Sequence, residues 1–158
     1  MNLLLELLKD SKRSDRELAK VLRVSQPTVS RTRNRLTKEG FIRDFTIIPD
    51  FAKLDYQIAA FTLLRFSERN PELLEKAREW TKNQPSIIFA ADGEGLGMGA
   101  IMISIHKNYA DFSRLITTLK QDWQPNLREA ESFLFSVSRP ELVAKPFSLK
   151  YLAEQEEK

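Results

Sequence analysis

Two helix-start signals in close succession constrain this chain more than any other feature. Ser14 followed by Glu17 is a capping box, in which the serine hydroxyl and the glutamate carboxylate each satisfy an amide donor left open at the head of a helix. Ser25 with Pro27 is a second start, with a favourable cap and a proline placed where the missing amide hydrogen costs nothing. Leu18, Val21 and Leu22 give the first of these helices one apolar face. Arg23 and Val24 leave room only for a short turn, and Gly40 is placed to end the second helix in the left-handed conformation. Upstream, Leu3, Leu4, Leu7 and Leu8 recur at helical spacing. Glu6 lies inside that run and no basic leader precedes it, so MNLLLELLKD reads as a further helix rather than a secretory signal. Downstream, FIRDFTII has the β-branched and aromatic content of extended chain and stops at Pro49, which predicts a hairpin or wing.

The second capped helix contains SQPTVSRTRNRL, residues 25 to 36, with three arginines and no acid. Helical spacing puts Val29, Thr32 and Leu36 on its inner side. Gln26, Thr28, Ser30, Arg31, Asn34 and Arg35 then spread around the outer side, with Ser25 and Lys38 at the ends. A DNA groove rewards these groups. Arginine forks to guanine, Asn or Gln pairs with adenine, hydroxyls meet phosphate oxygens, and a helix N-terminus favours phosphate. Packed behind a capped helix across a short turn, such a helix makes a helix-turn-helix that places these side chains on double-stranded DNA. The charge distribution agrees. Residues 1 to 44 hold eleven Lys/Arg against six Asp/Glu, whereas the remainder holds 14 against 16. Only the first part is therefore expected to meet a polyanion.

From residue 56 the pattern changes to strands alternating with longer helices. YQIAAFTLLRF, SIIFAA, AIMISIH and ESFLFSVS read as strands, and NPELLEKAREWTKN and NYADFSRLITTLKQDW as amphipathic helices. The order βαββαβ is that of the split, ferredoxin-like unit: one four-stranded antiparallel sheet with both helices on one face. The fold class is therefore α+β, with a winged helix-turn-helix over 1–50, a ferredoxin-like domain over 51–140 and a C-terminal extension over 141–158. Strands such as QIAAFTLLRF are apolar on both sides, so the face without helices needs a cover, and a second copy of the chain is the simplest one. The extension reads as a short helix, either solvated or clasping a neighbouring subunit.

The stretch DRELAKVLRVSQPTVSRTRNRLTKEGFIRDFTIIPD, followed by βαββαβ, resembles the Lrp/AsnC family of transcription regulators. The likeness in order covers about residues 2 to 138, and Val24-Ser25, Thr28-Val29, Arg31, Arg35-Leu36 and Gly40-Phe41-Ile42 match the family's recognition helix and wing entry. The resemblance implies a homodimer or a higher oligomer of dimers that reads an operator through Ser25, Gln26, Thr28, Ser30, Arg31, Asn34, Arg35 and Lys38. Arg33 departs from the pattern, standing where the family places an aliphatic residue. Either Thr32 takes over the core contact, or Arg33 lies along the surface with its stem buried.

Four of the five glycines lie at 93, 95, 97 and 99, within DGEGLGMG. Gly95, Gly97 and Ala100 match a loose dinucleotide motif, but such a loop must open a helix and this one opens a strand, so the plainer reading is a flexible β hairpin with bulges. By resemblance, Asp92, Gly93, Glu94, Gly95, Leu96 and Gly97 would form a site for a small effector such as an amino acid. Backbone amides would hold its carboxylate and an acid its ammonium group.

No cofactor, metal site or catalytic residue is expected. The chain has no cysteine, which removes thiolate chemistry and most structural zinc sites, and its single histidine, His106, reads as structural. Without a span of about 18 apolar residues no membrane partner is expected, and the location is read as cytoplasmic. Two other readings remain open. The same architecture occurs in proteins that decarboxylate a sirohaem-type tetrapyrrole, for which His106, Tyr109 and Arg114 are thin candidates, and a DNA-compacting protein would differ only in specificity.

Overall fold

The computed structural model describes residues 2–68 and 70–156 and divides into two compact units. The first comprises the residues up to Ile48 together with those from Lys145 onward, and the second is Pro49–Ala144.

Three helices open the first unit: α1 (Asn2–Lys9), α2 (Asp15–Leu22) and α3 (Gln26–Lys38). The caps form as the residues dictate. Ser14 N–H donates to Glu17 Oε2 at 2.7 Å, while Glu17 N–H donates to Ser14 Oγ at 3.3 Å. Ser25 caps α3 by accepting from Thr28 N–H. Arg23 takes the left-handed conformation at the end of α2, with φ 55°, and Gly40 does so after α3, with φ 78°. The apolar faces converge on one core of Leu3, Leu7, Leu18, Ala19, Val29, Leu36 and Ile42. Leu18 and Val29 are fully buried where α2 meets α3, so truncating either to alanine removes about 1.5 to 4 kcal/mol of burial and packing.

Two expectations for this unit need correction. No strand forms between residues 41 and 50, so the hairpin expected from FIRDFTII is absent. Ile42 is buried, but Phe41, Phe45, Ile47 and Ile48 are exposed, and a segment with no neighbouring strand has no ladder to join. The C-terminal residues, expected as an extension of their own, belong with the first unit: α6 (Lys150–Glu156) packs on α1, with Ala153 fully buried. Residues 157 and 158 of that extension lie outside the described residues.

The second unit runs β1 (Ile58–Phe66), α4 (Pro71–Lys82), β2 (Ile87–Gly95), β3 (Met98–His106), α5 (Tyr109–Trp123) and β4 (Leu127–Ser136). The sheet order is β2-β3-β1-β4 and every pairing is antiparallel, which is the ferredoxin-like arrangement. Asn70 caps α4 by accepting from Leu73 N–H at 2.9 Å, and Asn108 caps α5 by accepting from Asp111 N–H at 3.0 Å. On the helix-covered face, Leu64 and Met102 pack with Leu115, Leu119 and Trp123 of α5. α4 contributes Leu73, Ala77 and Trp80, all only half-buried.

Directly opposed residues share a face of an antiparallel sheet, so Phe61, paired with Ile103 and Phe133, lies on the other side. Phe89 opposite Ile103 extends that apolar row, and the Phe61 and Phe135 rings stack with centroids 5.6 Å apart. Phe61, Phe89, Phe133 and Phe135 are all exposed.

Candidate nucleic-acid interface

The orientation of α3 decides which side chains can reach a ligand. Val29 and Leu36 turn into the core and Thr32 is half-buried, so the helix is pinned along that line. Ser25, Gln26, Arg31, Asn34, Arg35 and Lys38 are exposed, whereas Thr28 and Ser30 are half-buried. Local bonds already occupy some of these groups. The Thr28 and Ser25 hydroxyls share a hydrogen bond of 2.7 Å, and Arg31 Nε donates to the Pro27 carbonyl at 3.4 Å. Among the described residues, no hydrogen bond or ion pair engages the side chains of Gln26, Asn34, Arg35 or Lys38. The exposed face of α3 thus offers uncommitted donors with no acid of its own between Ser25 and Lys38.

Arg33 takes the second course left open by the sequence. Its stem is largely buried, and Nη2 donates to Asp15 Oδ1 at 2.6 Å, with the side chains 23% and 25% exposed. Asp15 begins α2, where a carboxylate also meets the positive end of the helix dipole. This arginine therefore ties the two helices together and is withdrawn from the ligand face. Sequence reasoning missed the partner, although an acid in the first turn of one helix and a basic residue on the inner side of the next were both visible. A second internal clamp lies beside α1. Glu6, buried, accepts from Lys9 Nζ at 2.7 Å and from Arg13, and these cations hold its carboxyl below the ordinary range against the opposing effect of burial.

The glycine-rich stretch forms the β hairpin of its plainer reading, with an irregular register between Asp92 and Gly95. Asp92 to Gly95 extend β2, Met98 and Gly99 begin β3, and only Leu96 and Gly97 form the connection. Both have positive φ, 54° and 73°, the requirement of a two-residue hairpin turn whose twist matches the strands. Asp92 lines a cavity under α4, whereas Gly93, Glu94, Gly95, Leu96 and Gly97 are exposed and do not enclose a pocket with it.

His106 is buried, with Nε2 2.8 Å from Ser104 Oγ and its ring edge-on to Phe112. Burial pushes its pKa below the usual value, with Asp111 opposing. His106 and Arg114 border one open depression that Tyr109 does not line, and Arg114 pairs with Asp111. Among the described residues no cluster of His, Cys, Asp or Glu could hold a metal ion, and no helix is long and apolar enough to cross a membrane.

The first 43 residues match a family model described as winged helix-turn-helix DNA-binding. The chain is 42% identical over 59 residues to an uncharacterized HTH-type transcriptional regulator of Pyrococcus horikoshii, PH0061, covering 37% of this chain and 40% of that protein. The match thus spans about two fifths of that curated relative. The crystal structure of PH0061 superposes with a TM-score of 0.76 at 28% identity, covering 94% of this chain and 93% of that one. An AsnC family transcriptional regulator from Agrobacterium tumefaciens superposes at 0.73 with 18% identity over 85% and 86% of the two chains. A transcriptional regulator of Neisseria meningitidis, solved as an L-Met complex, does so at 0.73 with 15% identity over 84% of each.

Proposed function

We propose that this chain, of Lrp/AsnC architecture, is a DNA-binding transcription regulator that inserts α3 into the major groove. The observation that carries this reading is the division of labour among the arginines. Arg33 is spent on Asp15, whereas Arg31 and Arg35 stand on an exposed face with Gln26 and Asn34, the side-chain set that matches base edges. Ser25, Thr28, Ser30 and Lys38 flank that face and serve phosphates, which fix orientation without carrying sequence information.

The regulator acts as a homodimer or an oligomer of dimers, so that two copies of α3 meet successive grooves of a pseudo-palindromic site. The exposed apolar row of the second unit supports self-association, because a monomer rarely leaves so many aromatic side chains in water. Its place of action is the cytoplasm, where DNA is reached without crossing a membrane. Activity is modulated by a small molecule, a reading supported by the amino acid bound to the Neisseria relative. Asp92 and the adjoining hairpin through Gly97 are the residues proposed to sense it.

Salt dependence of DNA binding tests the reading. With about eight phosphates neutralised per dimer, log affinity falls against log salt with a slope near −7, at roughly −0.9 per contact. Arg31→Ala and Arg35→Ala each cost about 1 to 3 kcal/mol in operator affinity where the arginine reads a base. A flat salt dependence, or full affinity in the double variant, would sink the proposal.

A further inference from the structure

Between α4 and the sheet the second unit forms a half-open cavity of about 360 Å³. Packed interiors keep few voids larger than a water molecule, whereas small-molecule sites begin at about 300 Å³, so this space is in the range of a ligand pocket rather than a packing defect. Its origin can be read from the side chains. Ala77 of α4, Ala90 of β2 and Ala100 of β3 all line it, three small residues where larger ones would narrow the gap. α5, by contrast, fills its share of the same sheet with Phe112, Leu115, Leu119 and Trp123, all buried.

The walls are aromatic and aliphatic. Both tryptophans of the chain, Trp80 and Trp123, line the space, with their rings edge-on at 6.3 Å and Phe66 against Trp123 at 5.3 Å. Trp123 Nε1 is buried without a hydrogen-bond partner, and the ring is held by packing and by Lys76 Nζ 4.9 Å from its centroid. α4 rests over the cavity with no fully buried side chain, although Leu73, Ala77 and Trp80 point one apolar stripe inward. Its apolar face therefore lacks part of the contact that a seated helix makes.

Several polar groups at the rim are committed to partners, and the exposed carboxylates of Glu68 and Asp92 stand at its mouth. Thr81 Oγ1 donates to the Ala77 carbonyl at 2.9 Å, Asn70 caps α4, Arg78 pairs with Glu75 at 2.9 Å, and Trp80 Nε1 donates to Asp122 at 2.7 Å. The two carboxylates face water at the opening, whereas the inner walls are apolar, and burying an unpaired charge among them is costly.

We propose that the cavity beneath α4 binds a compact, uncharged apolar molecule, aromatic or branched aliphatic, which completes the packing of α4 on the sheet. The site rests on the second unit alone and stands whether or not the chain binds DNA.

The two tryptophans make the test direct. The full chain is titrated with n-butylbenzene, reading indole emission excited at the red edge of its band, the two indole N–H resonances and the thermal midpoint. A saturable emission change, shifted indole resonances and a raised midpoint are expected, with 4-phenylbutyrate weaker by about tenfold or more. Ala77→Phe and Ala100→Leu fill the space and should abolish the response with circular dichroism unchanged. If the first variant does not fold, the second decides.

No saturable response in the unmodified chain overturns the proposal, as does a response kept by the folded variants. Equal binding of 4-phenylbutyrate overturns the uncharged class. Indole signals that move with protein concentration in the absence of probe would assign the space to a second copy instead.

Discussion

Arg33 on α3 donates from Nη2 to Asp15 Oδ1 at 2.6 Å, fastening the head of α2 to the middle of α3. The bond fixes the rotation of α3 about its own axis, and with it the set of side chains that face outward. Arg33→Ala and Asp15→Asn should each lower the unfolding free energy by about 1 kcal/mol, with a coupling of about 0.5 to 1 kcal/mol in a double-mutant cycle followed by urea unfolding. If Arg33 instead met phosphate, its removal would flatten the salt dependence of DNA binding by about one contact. An unchanged slope is the expected result.

Leu96 bears a left-handed backbone in the turn between β2 and β3 and is 88% exposed, so its side chain returns little for the strain. Leu96→Asn places the favoured Asn-Gly pair at this turn and should raise stability by about 0.5 to 1 kcal/mol in chemical denaturation. Lost stability would mean that the leucine makes a contact worth more than its strain.

Acid should act on the two units in different windows. The lowered Glu6 pKa means that its stabilisation is present above the ordinary value of 4.5 and fades as the pH falls through the folded value. His106 is also lowered, by burial. Below 6.5 the unfolded chain takes up a proton that the folded one resists, so stability declines from there downward. Unfolding followed across pH should lose its upper slope in His106→Gln and show a shallower lower slope in Glu6→Gln, where the lowered Glu17 and Glu141 still contribute. A profile identical to that of the parent would refute the assignment.

Phe133 stands 71% exposed beside the Phe61 and Phe135 stack on the sheet face without helices. Under the proposed self-association, Phe133→Asp should sediment as a monomer where the parent does not, with the circular dichroism intact, because a lone carboxylate in an apolar contact is costly. Undisturbed association would place the interface elsewhere.

The sequence foretold the parts of this molecule whose causes are local. Ser14 with Glu17, Ser25 with Pro27 and Asn70 with Pro71 are short-range chemistry, and the structure builds the cap at each of Ser14, Ser25 and Asn70. The sheet was legible because four apolar runs separated by two amphipathic helices leave few topologies. What escaped was set by partners distant in sequence. FIRDFTII has the composition of a strand but no strand beside it. For DGEGLGMG a bulged hairpin was legible, but how far the ladder runs into it was not. The Arg33 and Asp15 pair, and the cavity framed by Ala77, Ala90 and Ala100, depend on residues that meet only after the fold has formed.

α6 packs on α1, so the first unit is assembled from both extremities of the chain, with the whole of Pro49–Ala144 between its two pieces. In an unfolded chain, bringing those pieces together means closing a loop of on the order of 100 residues, with the entropy loss that this entails. Once the intervening unit has folded, that loop is a compact body and most of the loss has already been met. Docking of α6 is therefore expected to follow the folding of Pro49–Ala144, and a cut or a bulky group at α6 should be felt in the helix-turn-helix unit.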